Sequence, residues 1–259
     1  MKITVVKVGG KVVEEPESLN ALLNDFANIV GAKILVHGGG RSATKLSERL
    51  GIETKMVEGR RITDRETLDV VTMVYAGLVN KTIVAELQKR NINAIGLCGA
   101  DLDLIHSAKR PLKNGIDYGY VGDVKRVETG VLASLIEQGA IPVVSPITHD
   151  GNGQLLNTNA DTIASELARA LACAEDLEVS LIYCFEKPGV LMDAEDDSTV
   201  ISSMTYAEFQ EYKETGVVAA GMIPKLDNGF DAIKIGVKRV MITNTDGLRT
   251  GRGTMLLKE

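Results

Sequence analysis

The chain has 259 residues, a formal net charge of −6 at pH 7, 44% hydrophobic residues and 25% charged residues. That length serves one large domain or two smaller ones with an ample core, and the balance is that of an ordinary soluble globular chain. The acidic charge and the lack of a dense basic patch exclude nucleic acid as the main partner, and any anion site must be built locally from lysines, arginines and helix N-termini. No uninterrupted apolar run approaches the roughly 20 residues of a membrane helix. The N-terminus enters a strand directly, without a secretory leader. Cys98, Cys173 and Cys184, odd in number and without CxxC spacing, read as small core residues in a reducing cytoplasm.

In chain order, Ile3, Val5, Val6 and Val8 predict a buried strand that ends at Gly9-Gly10. Lys7 lies inside it. Burial of an ammonium is costly. Lys7 therefore either snorkels to solvent or sits at the strand's carboxyl end, where bare backbone N–H groups suit phosphate oxygens. Residues 17–30 place Leu19, Leu22, Leu23, Phe26 and Val30 on one helical face, closed by Gly31. A strand at 33–37 runs into Gly38-Gly39-Gly40 and then a helix over 42–50, the grammar of a parallel α/β sheet. The triple glycine has three readings. Gly38, Gly40 and Ala43 fit a G-x-G-x-x-A dinucleotide pattern, with Glu58 near the expected distance. The second reading is a plain turn. The favoured third is an anion cradle that faces the Lys7–Gly10 turn across a crevice at the strand ends.

Arg60 and Arg61 follow Gly59, either as solvated loop charges or as a bidentate grip on a carboxylate. Thr63 with Glu66 predicts a capping box for a long helix to residue 90. Its apolar face carries Leu68, Val71, Tyr75, Leu78, Val79 and Ile83, a stripe wide enough for part of it to serve as a dimer face. A strand at 92–97, a loop-rich or hairpin excursion over 106–127, a helix at 128–138 and a strand at 141–145 follow. His149-Asp150-Gly151-Asn152-Gly153 is a hairpin turn. Asn157-Thr158-Asn159-Ala160-Asp161 then opens a helix to residue 172. Asn159 or Asp161 caps this helix, or Asp161 is a carboxylate that holds lysines while Asn157 bonds substrate. His37, His106 and His149 share no spacing with a catalytic partner.

Residues 175–178 form a polar break, the expected boundary between residues 1–177 and 178–259. A strand at 179–185 leads into Glu186-Lys187-Pro188-Gly189-Val190-Leu191. A helix over 206–214 ends at Gly216. Pro224 opens another to residue 235, and strands at 239–243 and 255–257 complete the chain. Lys225 lies in a first helical turn, where the dipole disfavours a cation unless both share a bound anion. Neither a Walker A motif nor the protein-kinase set occurs.

Five segments, Lys7-Val8-Gly9-Gly10, Val36-His37-Gly38-Gly39-Gly40, Gly59-Arg60-Arg61-Ile62-Thr63, Asn157 to Asp161, and Gly221-Met222-Ile223-Pro224-Lys225, together resemble the amino acid kinase family. The resemblance implies an open αβα sandwich on a mostly parallel central sheet. Residues 1–177 would bind the acyl amino acid and dimerise, and residues 178–259 would bind ATP. It implies transfer of the γ-phosphoryl group of MgATP, with Mg2+ carried by the nucleotide phosphates, to the side-chain carboxylate of N-acetyl-L-glutamate. The setting would be arginine biosynthesis, in a cytoplasmic homodimer with no nucleic acid, membrane or protein-held metal. By position, Lys7 and Lys225 would be the transition-state lysines and Asp161 the carboxylate that organises them. Gly39, Gly40, Arg61 and Asn157 would bind the acyl amino acid. Gly9, Gly10, Glu186, Lys187, Pro188, Gly189, Val190, Leu191, Val217 and Val218 would meet the nucleotide. A carboxylate acceptor is already ionised at neutral pH, so this chemistry needs alignment and charge neutralisation and no general base.

Two departures stand out. The family's T-D-V-small-Gly motif reads Phe185-Glu186-Lys187-Pro188-Gly189 here, and the stretch over 243–254 is expected to lack a helix many relatives carry. Relatives inhibited by arginine carry a helical extension before the first strand, so a homodimer without arginine feedback is expected. The alternatives within this chemistry are another acyl group, such as succinyl, or free glutamate or aspartate. A nicotinamide-dependent oxidoreductase and a non-catalytic protein on the same fold are the rivals outside it.

Overall fold

The apolar start of the chain folds as β1 (Lys2–Val8), with Ile3, Val5, Val6 and Val8 at most 1% exposed. The coordinates are a computed structural model that describes every residue except Glu58, Glu175, Asp176, Ala219, Ala220 and Glu259. The dinucleotide reading of Glu58 and most of the polar break lie outside the described residues. A short helix, α1 (Gly10–Glu14), follows β1 where the sequence suggests only a turn. In α2 (Pro16–Ala27) the proline presets the first turn, and Leu19, Leu22, Leu23 and Phe26 are buried. Gly31 (φ +90°) reverses the chain into β2 (Ala32–His37), and α3 (Gly40–Arg49) begins on the glycine turn.

A small hairpin of β3 (Met56–Val57) and β4 (Arg60–Arg61) leads into α4 (Arg65–Thr72), a π-helical segment (Met73–Val79) and α5 (Asn80–Gln88). The cap of α4 is Asp64, whose carboxylate accepts from the Thr67 N–H at 2.8 Å. The expected Thr63 cap is displaced by one residue because the Thr63 hydroxyl is buried and donates to the Arg61 carbonyl at 3.1 Å. The run Arg65–Gln88 is 24 residues long, and its most apolar window has a mean hydropathy of 1.4. By length and composition alone it meets the membrane criterion that the interrupted sequence pattern did not suggest. Its face with Leu68, Val71, Val74, Tyr75, Val79, Ile83 and Leu87 is buried within the protein.

The middle of the chain forms β5 (Ala94–Leu97), β6 (Ile105–Lys109), β7 (Gly122–Val127), α6 (Thr129–Glu137), β8 (Ile141–Val144), β9 (Ile147–His149) and β10 (Leu155–Asn157). The excursion over 106–127 is a true antiparallel pair, β6 with β7. Then come α7 (Ala160–Ala172), β11 (Glu178–Phe185), β12 (Ser203–Met204), α8 (Tyr206–Glu214), α9 (Ile223–Ile235), β13 (Arg239–Asn244), α10 (Thr245–Thr250) and β14 (Thr254–Leu256). The helix α10 corrects the expectation of none between 243 and 254. Asn244 caps it by accepting from the Gly247 N–H at 2.9 Å. Gly247 is required there, since a Cβ would meet the Thr243 hydroxyl and the Arg252 carbonyl.

The chain divides into two compact units, Met1–Ile34 with Ala164–Glu259, and Leu35–Ile163. In the first, strand order is β12-β14-β13-β11-β1, parallel except for β13 with β14. In the second, β8 pairs in parallel with β2 and β5. Beside these lie a four-stranded sheet, β10-β9-β6-β7, and the β3-β4 hairpin. The result is an α/β fold with a mostly parallel central sheet and flanking helices. Of the cysteines, only Cys184 is a core residue; Cys98 is half-buried and Cys173 exposed. Burial pushes the Cys184 thiol up to about 12, against the opposing pull of the Thr245 contact and the Lys7 charge.

His37 is fully buried at the end of β2. Its Nδ1–H donates to the Gly38 carbonyl at 2.8 Å, and its Nε2 accepts from the Asn80 amide at 3.0 Å. Burial lowers its pKa to about 4, with the Gly38 bond opposing and the Lys81 charge assisting. The unfolded chain takes up this proton near pH 6.5 and the folded chain only near 4. The stabilisation is therefore full above pH 6.5 and lost as the pH falls. A loss of about 2 kcal/mol between pH 7 and pH 5 is expected from this group. Denaturant melts at both pH values should show a smaller difference in His37→Gln, and an unchanged difference would refute the assignment.

Candidate active site

In the unit Leu35–Ile163, the glycine turn after β2, the β3-β4 hairpin, the end of β10 and the start of α7 line one cavity of about 180 Å³. All four residues expected to bind the acyl amino acid, Gly39, Gly40, Arg61 and Asn157, line it. Arg61 is 8% exposed, and its guanidinium is fixed from two sides. Nη1 donates to Thr54 Oγ1 at 3.1 Å, and Nη2 donates to the Gly40 carbonyl at 2.9 Å and to Thr44 Oγ1 at 2.8 Å. The charge thus also ties the glycine turn to the hairpin. Gly39 leaves no room for a side chain, since a Cβ would lie 2.9 Å from the Tyr75 ring. Asn157 donates from its amide to Thr63 Oγ1 at 3.0 Å, so the displaced helix-cap threonine instead orients a residue of the cavity.

At the start of α7, Asn159 is the cap: its side-chain oxygen accepts from the N–H groups of Asp161 at 2.8 Å and Thr162 at 3.1 Å. Asp161 is thereby relieved of capping, and it lies 8% exposed in the first turn. The cavity also gathers Arg110 and Val121, which the sequence leaves unassigned, together with Tyr75 of the long helix and Arg60 of the hairpin. Arg110 and Val121 sit in the excursion between β6 and β7, where nothing in the local pattern marks them.

The first unit holds a second cavity, of about 290 Å³. Lys187, Gly189, Val190, Leu191, Val217 and Val218, all expected at the nucleotide, line it together with Lys225. Its loop is pinned where the Val190 N–H donates to the buried Thr254 hydroxyl at 2.8 Å, and Gly189 is needed because a Cβ would press on that hydroxyl at 2.7 Å. Lys187 pairs with Asp197 at 2.9 Å, and that hydrogen bond raises its pKa. Two residues of the same motif lie elsewhere. Pro188 lines a separate cavity with Asp246 and Arg252, and Glu186 lines a groove with Lys11 and Asn244.

Lys225 occupies the third position of α9, and its Nζ reaches the Gly221 carbonyl at 3.3 Å. Lys7 is 7% exposed near the carboxyl end of β1, in register with Tyr183 of β11. The Gly9 N–H donates to the Cys184 carbonyl at 2.8 Å, so it is not the bare donor the sequence suggests; Gly10 is the first residue of α1. Gly9 also packs tightly, with a Cβ placed 3.1 Å from Phe185 Cβ. Both lysines belong to the first unit, and Arg61, Asn157 and Asp161 to the second.

Apart from these cavities, β6 pairs with β9 through His106 and His149, whose rings stand edge to face at 5.5 Å. Asp103 lies beside them, with Oδ1 at 2.8 Å from His149 Nε2. This Asp103–His106–His149 group escapes sequence reading because strand pairing, not spacing, assembles it.

Residues 2–244 match the profile of the amino acid kinase family. The chain belongs to the amino acid kinase family. An acetylglutamate kinase of Bacteroides fragilis is 60% identical over 257 residues, spanning 99% of this chain and 97% of its own length. The acetylglutamate kinase of Cytophaga hutchinsonii is 58% identical over 247 residues, 95% of this chain and 93% of its own. Among solved structures, smu.665 from Streptococcus mutans UA159 superposes with a TM-score of 0.83 at 27% identity, with 99% of each chain covered. As a member of the amino acid kinase family, the chain leaves no need for the nicotinamide reading of Gly38-x-Gly40-x-x-Ala43.

Proposed function

We propose that this protein transfers the γ-phosphoryl group of MgATP to the side-chain carboxylate of N-acetyl-L-glutamate, giving an acyl phosphate and ADP, as a step of arginine biosynthesis. Full-length similarity to acetylglutamate kinases carries the reading. The gathering of Gly39, Gly40, Arg61 and Asn157 on one cavity supports it. Arg61 receives the α-carboxylate, and Asn157 and the glycine turn orient the rest of the substrate. The second cavity suits a nucleotide: Val190, Leu191, Val217, Val218 and Met222 offer apolar walls for a base, and Lys187 and Lys225 supply cationic groups for phosphates.

One carboxylate oxygen attacks the γ-phosphorus, the bond to the β–γ bridging oxygen breaks, and ADP leaves with the electron pair. No proton has to move from the acceptor. Lys7 and Lys225 neutralise charge that spreads over the equatorial oxygens, with Asp161 the candidate carboxylate of the same step. Gly10 adds a backbone donor. We read residues 1–177 as the acyl-amino-acid lobe and 178–259 as the ATP lobe of a cytoplasmic homodimer. Met73 and Leu78, 55% and 65% exposed on the long helix, support a covered face. A monomeric mass in light scattering would count against the dimer.

Purified protein with MgATP and N-acetyl-L-glutamate should form a hydroxamate on trapping with hydroxylamine, in step with ADP release. ADP release without hydroxamate, or neither product, would reject N-acetyl-L-glutamate as the acceptor.

A further inference from the structure

The cavity in Leu35–Ile163 is lined by a guanidinium, Arg110, for which the proposed substrate offers no partner. Arg60, Arg61 and Arg110 all line it, and no acidic side chain does so among the described residues. N-acetyl-L-glutamate brings two carboxylates. Its side-chain carboxylate is the phosphoryl acceptor, and its α-carboxylate goes to Arg61 in the reading above, so Arg110 faces the cavity with no group of that substrate assigned to it. In a chain of net charge −6, a guanidinium held at such a cavity points to an anion.

Arg110 is held as a recognition group rather than as a loose surface charge. Its side chain is only 13% exposed. Its guanidinium lies over the buried Tyr118 ring at 5.4 Å from the centroid. Nε donates to Asp123 Oδ1 at 3.0 Å, and Nη2 donates to the same oxygen. Nη1 has no hydrogen-bond partner among the described residues. Asp123 and Tyr118 together fix the plane of the fork, which pre-organises the remaining donor for a carboxylate. A cross-strand ion pair serving only to join β6 and β7 would not need to line the substrate cavity.

We propose that Arg110 is a specificity-determining residue that receives a carboxylate at the far end of the substrate's acyl group. The preferred substrate is then an N-acyl-L-glutamate whose acyl group comes from a short dicarboxylic acid and keeps that acid's second carboxylate free. This rests on the kinase reading above and leaves its chemistry unchanged, since the phosphoryl group still goes to the glutamate side chain.

The probes are N-acetyl- and N-succinyl-L-glutamate, assayed side by side by hydroxamate formation. The wild-type protein should favour the succinyl compound in kcat/KM by roughly 10- to 100-fold, the range of one hydrogen bond between charged groups. Arg110→Met should remove most of that preference through the KM of the succinyl compound, and Arg110→Lys should restore part of it. The double variant Arg110→Met with Asp123→Asn guards against a stranded Asp123 carboxylate. Where a variant does not fold, the wild-type ratio decides alone. Equal or better use of the acetyl compound by the wild type overturns the proposal. So does a parallel fall on both substrates in a folded variant. Turnover of neither substrate rejects the kinase reading itself, and the selectivity with it.

Discussion

Lys225→Ala is expected to lower kcat by about 100- to 1000-fold, with much less change in the KM of either substrate. The lysine sits where a helix dipole alone would not favour it, in the first turn of α9, and it lines the same cavity as the residues expected at the nucleotide. Its Nζ donates to the Gly221 carbonyl at 3.3 Å, one turn back at the entry to the helix. The charge it neutralises grows as the phosphoryl group moves from ADP to the carboxylate. An interaction of that kind is lost from the transition state rather than from the ground state. Initial rates at saturating MgATP and acyl amino acid, on protein whose melting temperature matches the wild type, make the measurement. A variant with near-normal kcat would remove Lys225 from the mechanism.

The second large effect is expected at Arg61. Arg61→Ala should raise the KM of the acyl amino acid by about 100-fold, the cost of removing one partner of a buried charge pair. Its kcat should fall less. Two of the guanidinium's nitrogens already hold Thr54, Thr44 and the Gly40 carbonyl, so the fork is oriented before substrate arrives. Arg61→Lys keeps the charge and loses the planar fork, and should recover only part of the affinity. The Gly40 contact is lost in both variants, so Arg61→Ala is also expected to loosen the glycine turn. Calorimetric titration of the acyl amino acid separates that effect from turnover. An unchanged KM in a folded Arg61→Ala protein would reassign the α-carboxylate to another group.

Local signals were read correctly where one face of an element is buried throughout. The stripe of Leu19, Leu22, Leu23 and Phe26 becomes the buried side of α2, but Val30, expected on the same face, lies beyond the end of the helix and is 93% exposed. The helix α8 keeps its expected bounds, Tyr206–Glu214, on end signals instead, with Phe209 buried and Gly216 just past its end. The binding motifs were legible for a related reason. Gly39 and Gly189 are glycines because Tyr75 and Thr254 approach them too closely for any side chain. Reading failed where a side chain's partner comes from far along the chain. Asp64 makes the cap expected of Thr63, because the Thr63 hydroxyl donates to the Arg61 carbonyl and accepts from Asn157, 94 residues away. Gly9 was assigned a bare N–H that the Cys184 carbonyl occupies.

The sequence by itself determined the fold class, the long strands and helices in their order, and the five motifs that carry the family resemblance, while α1, the β3-β4 hairpin and α10 appear only in the structure. Periodicity and backbone freedom are properties of neighbours in the chain, so they survive without coordinates. Only the tertiary structure decided that Arg110 joins Arg61 on one cavity, that Pro188 and Glu186 leave the cavity their motif otherwise lines, and that His106 meets His149. Those outcomes depend on which strands pair and in what register, and pairing is set by the burial of whole faces rather than by any short stretch of residues.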